Sequence, residues 1–515
     1  MVNRYFLVLL LVVFLPRVCN AAEQKAASAP SQTNVQTPTA DTKKEQEPEK
    51  TSSTHHVIRI KGGAINYTAT AGRITLREES GKARGDIFFT AYVMDQPAEK
   101  SKRPVTFAFN GGPGASSVWL HMGAIGPKRV MTEDLGGASA PPYTMGDNEY
   151  SWLPFTDLVF IDPVGTGYSR PAQGENSKQF YGIKEDIESV GEFIRLYATR
   201  YDRWVSPKFI VGESYGTFRA IGLSDYLYDS FGMDLNGLML ISLAIDFQSF
   251  SYNLGNDLPY TLFLPSYACS AWYHKRLDPD LQENFEKTRN EAEEWALHDY
   301  SSALLQGDAL TDVQKGKTIE GLLRFTGLPK SYLENTNLRV NRSGFMNELL
   351  RSDDLSLGLM DGRKVRRGRS GDFLSDPGMV GTLAPYVAVL NDYFKNELKY
   401  ETDLAYVFLS EEANGQWNWG SGLRGYPSVL EKLQKVMRRS THLKILTAGG
   451  YFDLDTPYFG IKYAMNHLGL DASLRANIRM GFYEGGHMLY TNVRAIEKLT
   501  ADVAGFVADA IPARK

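Results

Sequence analysis

The sequence predicts an α/β fold: a mostly parallel central sheet with helices on both faces, antiparallel strands on its N-terminal side and an inserted helical cap. Three observations predict it. Short apolar runs of strand length at 105–109, 156–161 and 207–211 each end in a glycine-rich loop, as parallel strands of a doubly wound sheet do. Between the last two, Ile183, Ile187, Val190, Ile194 and Tyr197 recur at steps of four and three and mark one face of an amphipathic helix. The series then breaks near residue 246 for a charged, helix-patterned stretch reaching about 375, and strand-like runs resume after it.

The chain has 515 residues, 43% hydrophobic and 23% charged, the composition of a globular protein with a large core. A formal net charge of -4 gives no basic excess, so no nucleic-acid partner is expected. Arg4, the apolar stretch 6–15 and Cys19-Asn20-Ala21 have the order of a secretory signal peptide, predicted over residues 1–21. Cys19 also allows a lipid-attachment reading, which Pro16-Arg17-Val18 disfavours. That apolar stretch is too short to span a bilayer and no later run is long enough, so an exported protein, periplasmic or secreted and without a membrane span, is expected. Residues 22–55 lack large apolar side chains and are predicted to be a flexible linker. Beyond it, the core is expected over 56–245 and 376–515, with the cap at 246–375. Once the leader is gone Cys269 is the one cysteine left, an inert buried thiol rather than half of a disulfide.

Taken in order, runs 57–60, 64–71, 73–78 and 86–94 are β-rich and separated by turns, an antiparallel meander. The strand 105–109 opens into Asn110-Gly111-Gly112-Pro113-Gly114-Ala115-Ser116-Ser117, a loop able to turn backbone N–H groups toward a small anion. A tight turn or phosphate loop is the alternative, but no Gly-Lys-Ser/Thr follows to suit a nucleotide. Run 207–211 closes in Gly212-Glu213-Ser214-Tyr215-Gly216, the strand–turn–helix context of a nucleophile elbow; a surface turn is the plain alternative. A further strand is predicted at 235–243 and cap helices at 280–306 and 321–324. The cluster Arg363-Lys364-Val365-Arg366-Arg367-Gly368-Arg369 suits an acidic partner or, more simply, a solvated loop. The core returns with a helix at 379–398 and strands at 405–409 and 442–447. Gly449-Gly450-Tyr451-Phe452-Asp453-Leu454-Asp455-Thr456-Pro457 follows and offers Asp453 and Asp455 as the acid that orients a histidine, Asp455 also suiting a cap on a helix starting at Pro457. The last strand, 478–483, runs into Glu484-Gly485-Gly486-His487-Met488. Of the 8 histidines, His487 alone lies in a glycine-rich loop between a terminal strand and a terminal helix, and it completes the order Ser, Asp, His.

NGGPGASS at 110–117, DPVGTGYS at 162–169 and GESYG at 212–216, in this order and spacing, resemble the serine carboxypeptidase family of α/β hydrolases. The resemblance covers most of residues 56–515 and is strongest to bacterial members. It implies an α/β-hydrolase fold, Ser214 as nucleophile, and the N–H groups of Gly112 and Tyr215 as an oxyanion hole. It places Asn110 and Glu213 where the family binds the substrate's terminal carboxylate, and its GxxDxxxP spacing (Gly450, Asp453, Pro457) selects Asp453 over Asp455. Two positions depart from the family: Ala108 stands where a Trp is usual and Ala124 where a second Glu is usual. The carboxylate clamp is therefore incomplete, while the acyl-transfer chemistry is not affected. The expected function is an exported serine peptidase of carboxypeptidase type acting on peptides through Ser214, Asp453 and His487. An esterase or acyltransferase on the same triad is the alternative, and a non-catalytic binding protein a third. No metal or organic cofactor is expected, since there is no His-x-x-x-His pair and no cysteine cluster.

Overall fold

The chain is seen in a computed structural model that describes residues 49–511 except 98, 133–135, 138–139, 370, 372 and 421–424. The predicted signal peptide and most of the predicted linker lie outside the described residues. The first strand, β1 (Thr51–Ile60), begins inside the stretch expected to be linker. It pairs with β2 (Gly63–Arg77), and β2 with β3 (Ala83–Met94), in antiparallel register. The two runs expected at 64–71 and 73–78 are one strand: Gly72 sits in register opposite Phe89 and pairing continues through it.

Next come β4 (Val105–Phe109), the small hairpin β5 (Lys128–Met131) and β6 (Thr144–Asp147), then β7 (Asp157–Asp162), β8 (Arg170–Pro171), β9 (Lys208–Glu213) and β10 (Gly237–Ile241). A second hairpin, β11 (Leu355–Leu357) and β12 (Val365–Arg367), precedes β13 (Lys444–Gly450) and β14 (Ile478–Tyr483). The main sheet runs β1-β2-β3-β7-β4-β9-β10-β13-β14, with β8 beside β3. From β7 to β14 every pairing is parallel. This is an α/β-hydrolase architecture, antiparallel at its N-terminal side.

Side-chain alternation explains how the sheet holds two cores. In β4, Val105, Phe107 and Phe109 enter one core while Ala108 enters the other; in β9, Ile210 and the pair Phe209/Val211 divide the same way. The first core takes the apolar stripes of α1 (Ile183–Arg200) and α2 (Tyr215–Phe231), and the second takes the helices Pro377–Asp392 and Val493–Ala510. Among the described residues no helix is long and apolar enough to cross a membrane.

Helices dominate between β10 and β13. The innermost, α3 (Leu258–Tyr273), is buried along most of its circumference and packs on the helices Phe285–Trp295, Asp312–Thr326 and Tyr458–Asn466. Its apolar side chains share one core with Phe452 and Leu454. Two expectations need correction. Residues 405–409 form no strand: Val407 and Leu409 make single bridges to Gly167 and Ala115, which lie in loops outside the main sheet, so no ladder forms. The basic cluster is not a solvated loop throughout, because Arg363 is buried against Asp361 and 365–367 are a strand.

Candidate active site

Ser214 is the turn between β9 and α2, with φ 58° and ψ -130°. A serine held at positive φ costs conformational energy, and surrounding packing enforces it here. The Ser214 N–H donates to the Ile241 carbonyl at 3.0 Å, tying the turn to the neighbouring strand. A Cβ on Gly212 would fall 2.1 Å from the Gly216 carbonyl oxygen, and one on Gly111 would fall 2.5 Å from the Tyr215 nitrogen. Only glycine lets the 110–117 loop close on the start of α2. That closure brings Gly112 beside the elbow, and among the described residues no carbonyl accepts from the N–H of Gly112 or Tyr215. The Tyr215 N–H at the N-terminus of α2 and the Gly112 N–H from the loop suit a developing oxyanion. Asp162, buried at the end of β7, accepts from the Ser117 N–H and hydroxyl at 2.8 Å each and so anchors the loop.

Asp453 and His487 follow β13 and β14, on the same carboxyl edge of the sheet as Ser214. The Asp453 carboxylate is fully buried. Its Oδ1 accepts the N–H groups of Asp455 and Thr456 at 2.8 Å each, and its Oδ2 accepts the Thr456 hydroxyl at 2.6 Å. Oδ2 also lies 2.9 Å from His487 Nδ1. With Asp453 Oδ2 as acceptor Nδ1 carries a proton, and in the neutral ring Nε2 is the basic nitrogen. Burial lowers the affinity of His487 for a proton, but Asp453 first, then Asp455 and Glu213, outweigh it and push the imidazole up to about 9. The Ser242 hydroxyl donates to the His487 carbonyl at 2.6 Å, fixing that loop to the end of β10. Asp455, the other candidate acid, pairs instead with Arg342 at 2.8 Å. Nor does it cap the helix Tyr458–Asn466, which has no side-chain cap.

Glu213, the last residue of β9, is buried beside Asn110. Asn110 Nδ2 donates to Glu213 Oε2 at 2.9 Å, and Tyr490 donates its hydroxyl to the same oxygen at 2.8 Å. Burial pushes the Glu213 carboxyl up to about 7 against the pull of His487 and these two donors. Asn110 is itself fixed: its Oδ1 accepts from Leu120 N–H at 3.1 Å and its carbonyl from Arg219 at 2.7 Å. Arg219 is in turn paired with buried Asp186 at 2.7 Å. Ala108 and Ala124 are both fully buried. Beside Ala124, a Cβ on Gly123 would lie 2.4 Å from the Tyr386 hydroxyl, so a tyrosine from another helix occupies the space next to that small-residue segment. Tyr490, Tyr386, Thr456 and Ser242 are the members of this neighbourhood that sequence reasoning missed. Tyr490, three residues after His487, is the one that local spacing could have flagged.

Comparison with known proteins gives a consistent picture. The family described as serine carboxypeptidase matches residues 62–320, about half of the chain. That stretch contains Asn110, Gly112, Glu213, Ser214 and Tyr215, while Asp453 and His487 lie beyond it. The chain is 27% identical over 226 residues to serine carboxypeptidase-like 26 of Oryza sativa subsp. japonica, covering 43% of this chain and 42% of that protein. It is 27% identical over 179 residues to the pheromone-processing carboxypeptidase KEX1 of Yarrowia lipolytica, covering 34% of this chain and 26% of that protein. The matches thus span less than half of these relatives' own length. Among solved structures, Kex1Δp, a prohormone-processing carboxypeptidase from Saccharomyces cerevisiae, superposes with a TM-score of 0.55. At 17% identity, covering 85% of this chain and 91% of that one, the likeness bears on the fold.

Proposed function

Because the chain belongs to the serine carboxypeptidase family, we propose that it is an exported serine peptidase that removes residues from the C-terminus of peptides. The observation that carries this reading is the 2.9 Å contact between Asp453 and His487, two residues outside the family match, on the sheet edge that also bears the strained Ser214. In the neutral form of His487, Nε2 takes the proton of Ser214 Oγ as it attacks the scissile carbonyl; Asp453 holds the tautomer and stabilises the imidazolium that forms. The N–H groups of Gly112 and Tyr215 receive the negative charge on the carbonyl oxygen, about 3 kcal/mol per donor in comparable sites. His487 then protonates the leaving amine, and water, activated by the same imidazole, releases the acyl group from Ser214.

Asn110 and Glu213 bind the substrate's free carboxylate. Glu213 must carry its proton to donate, which burial favours up to about pH 7. In that form it no longer adds a negative charge near His487, one of the influences that raise the imidazole. Residues 246–375 serve as the cap that walls the cleft. The predicted signal peptide supports export to the periplasm or beyond, and the three sequence motifs support kinship with bacterial members. The curated relatives named above come from a plant and a yeast.

An esterase or acyltransferase on the same triad is the second reading, favoured by the alanines at 108 and 124. Turnover of an N-blocked dipeptide acid, its amide and a simple ester tests both. The carboxypeptidase reading expects the acid to be preferred below pH 7 and all turnover lost in Ser214→Ala. Ester cleavage with no preference for the free acid would establish the second reading instead.

A further inference from the structure

The tip of the β11–β12 hairpin threads between the two loops that bear Asp453 and His487. The Leu359 carbonyl accepts from the Leu454 N–H at 3.1 Å, and the Gly362 N–H donates to the Phe452 carbonyl at 2.8 Å, so the chain is held on both sides of Asp453. The Met360 carbonyl accepts from the His487 N–H at 2.6 Å, and the Arg363 guanidinium donates to the Glu484 carbonyl at 3.2 Å. Four of the five residues 359–363 therefore grip the backbone of both loops.

The tip is itself locked. Asp361 accepts from Arg363 Nε at 2.9 Å, from its Nη2 at 2.6 Å and from its backbone N–H at 3.0 Å, and both side chains are 5% exposed. The guanidinium lies 4.7 Å over the Phe452 ring, and His274 Nε2 is 2.8 Å from the Gly362 carbonyl. There is no slack: a Cβ on Gly486 would come within 2.3 Å of the Met360 oxygen. A buried ion pair adds little net stability but strongly favours one geometry, since parting it strands a charge in the interior. Two loops from separate strands need such a tie, because catalytic groups tolerate only about half an ångström of error.

We propose that residues 359–363 are a positioning element that keeps the Asp453 and His487 loops in register, with the Asp361–Arg363 pair as its lock. The proposal rests on the catalytic reading of those two loops. It also gives Arg363, the first residue of the basic cluster, a part in the reaction through its neighbours rather than through substrate.

The test uses the full chain, with active sites counted by fluorophosphonate labelling carried to completion. kcat and KM are measured on an N-blocked dipeptide acid, and the low-field proton resonance of His487 Nδ1–H is recorded. Arg363→Met is expected to lower kcat per labelled site by about tenfold or more with KM within about twofold, and to shift or broaden the resonance. Arg363→Lys, which keeps a cation but lacks the fork that reaches Glu484, should fall between. The double variant Asp361→Asn/Arg363→Met strands no charge and should recover wild-type melting while keeping the loss of kcat. Should Arg363→Met fail to fold, the other two variants carry the same readouts. Wild-type kcat and resonance in these variants, a loss confined to KM, or full recovery of kcat in the double variant overturns the proposal. If wild type does not label at all, the catalytic reading falls and this inference with it; if wild type labels but the variants behave as wild type, this inference alone falls.

Discussion

Both donors to the Glu213 carboxyl, Asn110 Nδ2 and the Tyr490 hydroxyl, converge on Oε2. A neutral carboxyl accepts through its carbonyl oxygen and donates through its hydroxyl, so this convergence assigns the proton to Oε1, which on the proposed reading donates to the substrate carboxylate. KM for a peptide with a free C-terminus should therefore rise as pH climbs through about 7, where Glu213 ionises. The corresponding amide should show no such rise. In Glu213→Gln, whose amide still donates, KM for the acid should lose that pH dependence; a KM rise unchanged by the substitution would remove Glu213 from carboxylate binding. Tyr490→Phe deletes a donor that favours the ionised form. It should shift the KM rise to higher pH for the acid, while leaving amide and ester kinetics as in wild type. An identical KM–pH profile in Tyr490→Phe would show that the hydroxyl is not part of the clamp.

At the scale of elements, the elbow works because β9, α2 and the 110–117 loop approach to backbone contact. An Ala at 111 meets the Tyr215 nitrogen at 2.5 Å and the Glu213 oxygen and Gly216 nitrogen at 2.7 Å, all main-chain atoms that cannot swing aside. Gly111→Ala should lower stability by about 1–3 kcal/mol and reduce kcat. Gly63→Ala, whose nearest neighbour is 3.6 Å away, serves as the control in the same thermal and kinetic assays. Equal behaviour of the two variants would contradict the close packing. Much of this was legible beforehand, because strand-length apolar runs ending in glycine-rich loops carry their own local physics. The errors have local causes too. Gly72 looked like a turn, but pairing on both sides of it carries the strand through. Residues 405–409 have strand composition, yet their backbone pairs only at single points, with the loops at 110–117 and 162–169 rather than with a strand. Arg363 read as solvated because its partner Asp361 is two residues away but turned inward by the hairpin, and charge counting sees no burial. Spacing places Tyr490 near His487, but its partner oxygen lies more than two hundred residues earlier in the chain, so its role is not legible locally.

At the scale of the whole molecule, the buried site makes stability depend on pH. Glu213 moves from 4.5 to about 7 on folding and His487 from 6.5 to about 9, so the folded state binds more protons than the unfolded one. Stability from Glu213 is fully present below pH 4.5 and lost as pH rises to about 7; that from His487 is present below 6.5 and lost by about 9. Thermal unfolding should accordingly show the protein weakening from pH 5 to pH 9. Glu213→Gln should recover on the order of 3 kcal/mol at the alkaline end. Parallel melting curves for wild type and variant across that range would refute a buried, reluctantly ionised Glu213. The same two-core sheet that buries these groups also joins the inserted helices to the Asp453 loop, and that joining was not visible in a sequence whose pattern simply changes at residue 246.

If Ser214, His487 and Asp453 act as one unit, site-resolved fluorophosphonate labelling will read it out. The adduct should map to Ser214 in wild type, and its rate of formation should drop by roughly four orders of magnitude in Asp453→Asn and in His487→Ala. Asp455→Asn, by contrast, should label at close to the wild-type rate. An adduct elsewhere, or Ser214 labelling as fast in Asp453→Asn as in wild type, would show that the three residues do not form a catalytic unit.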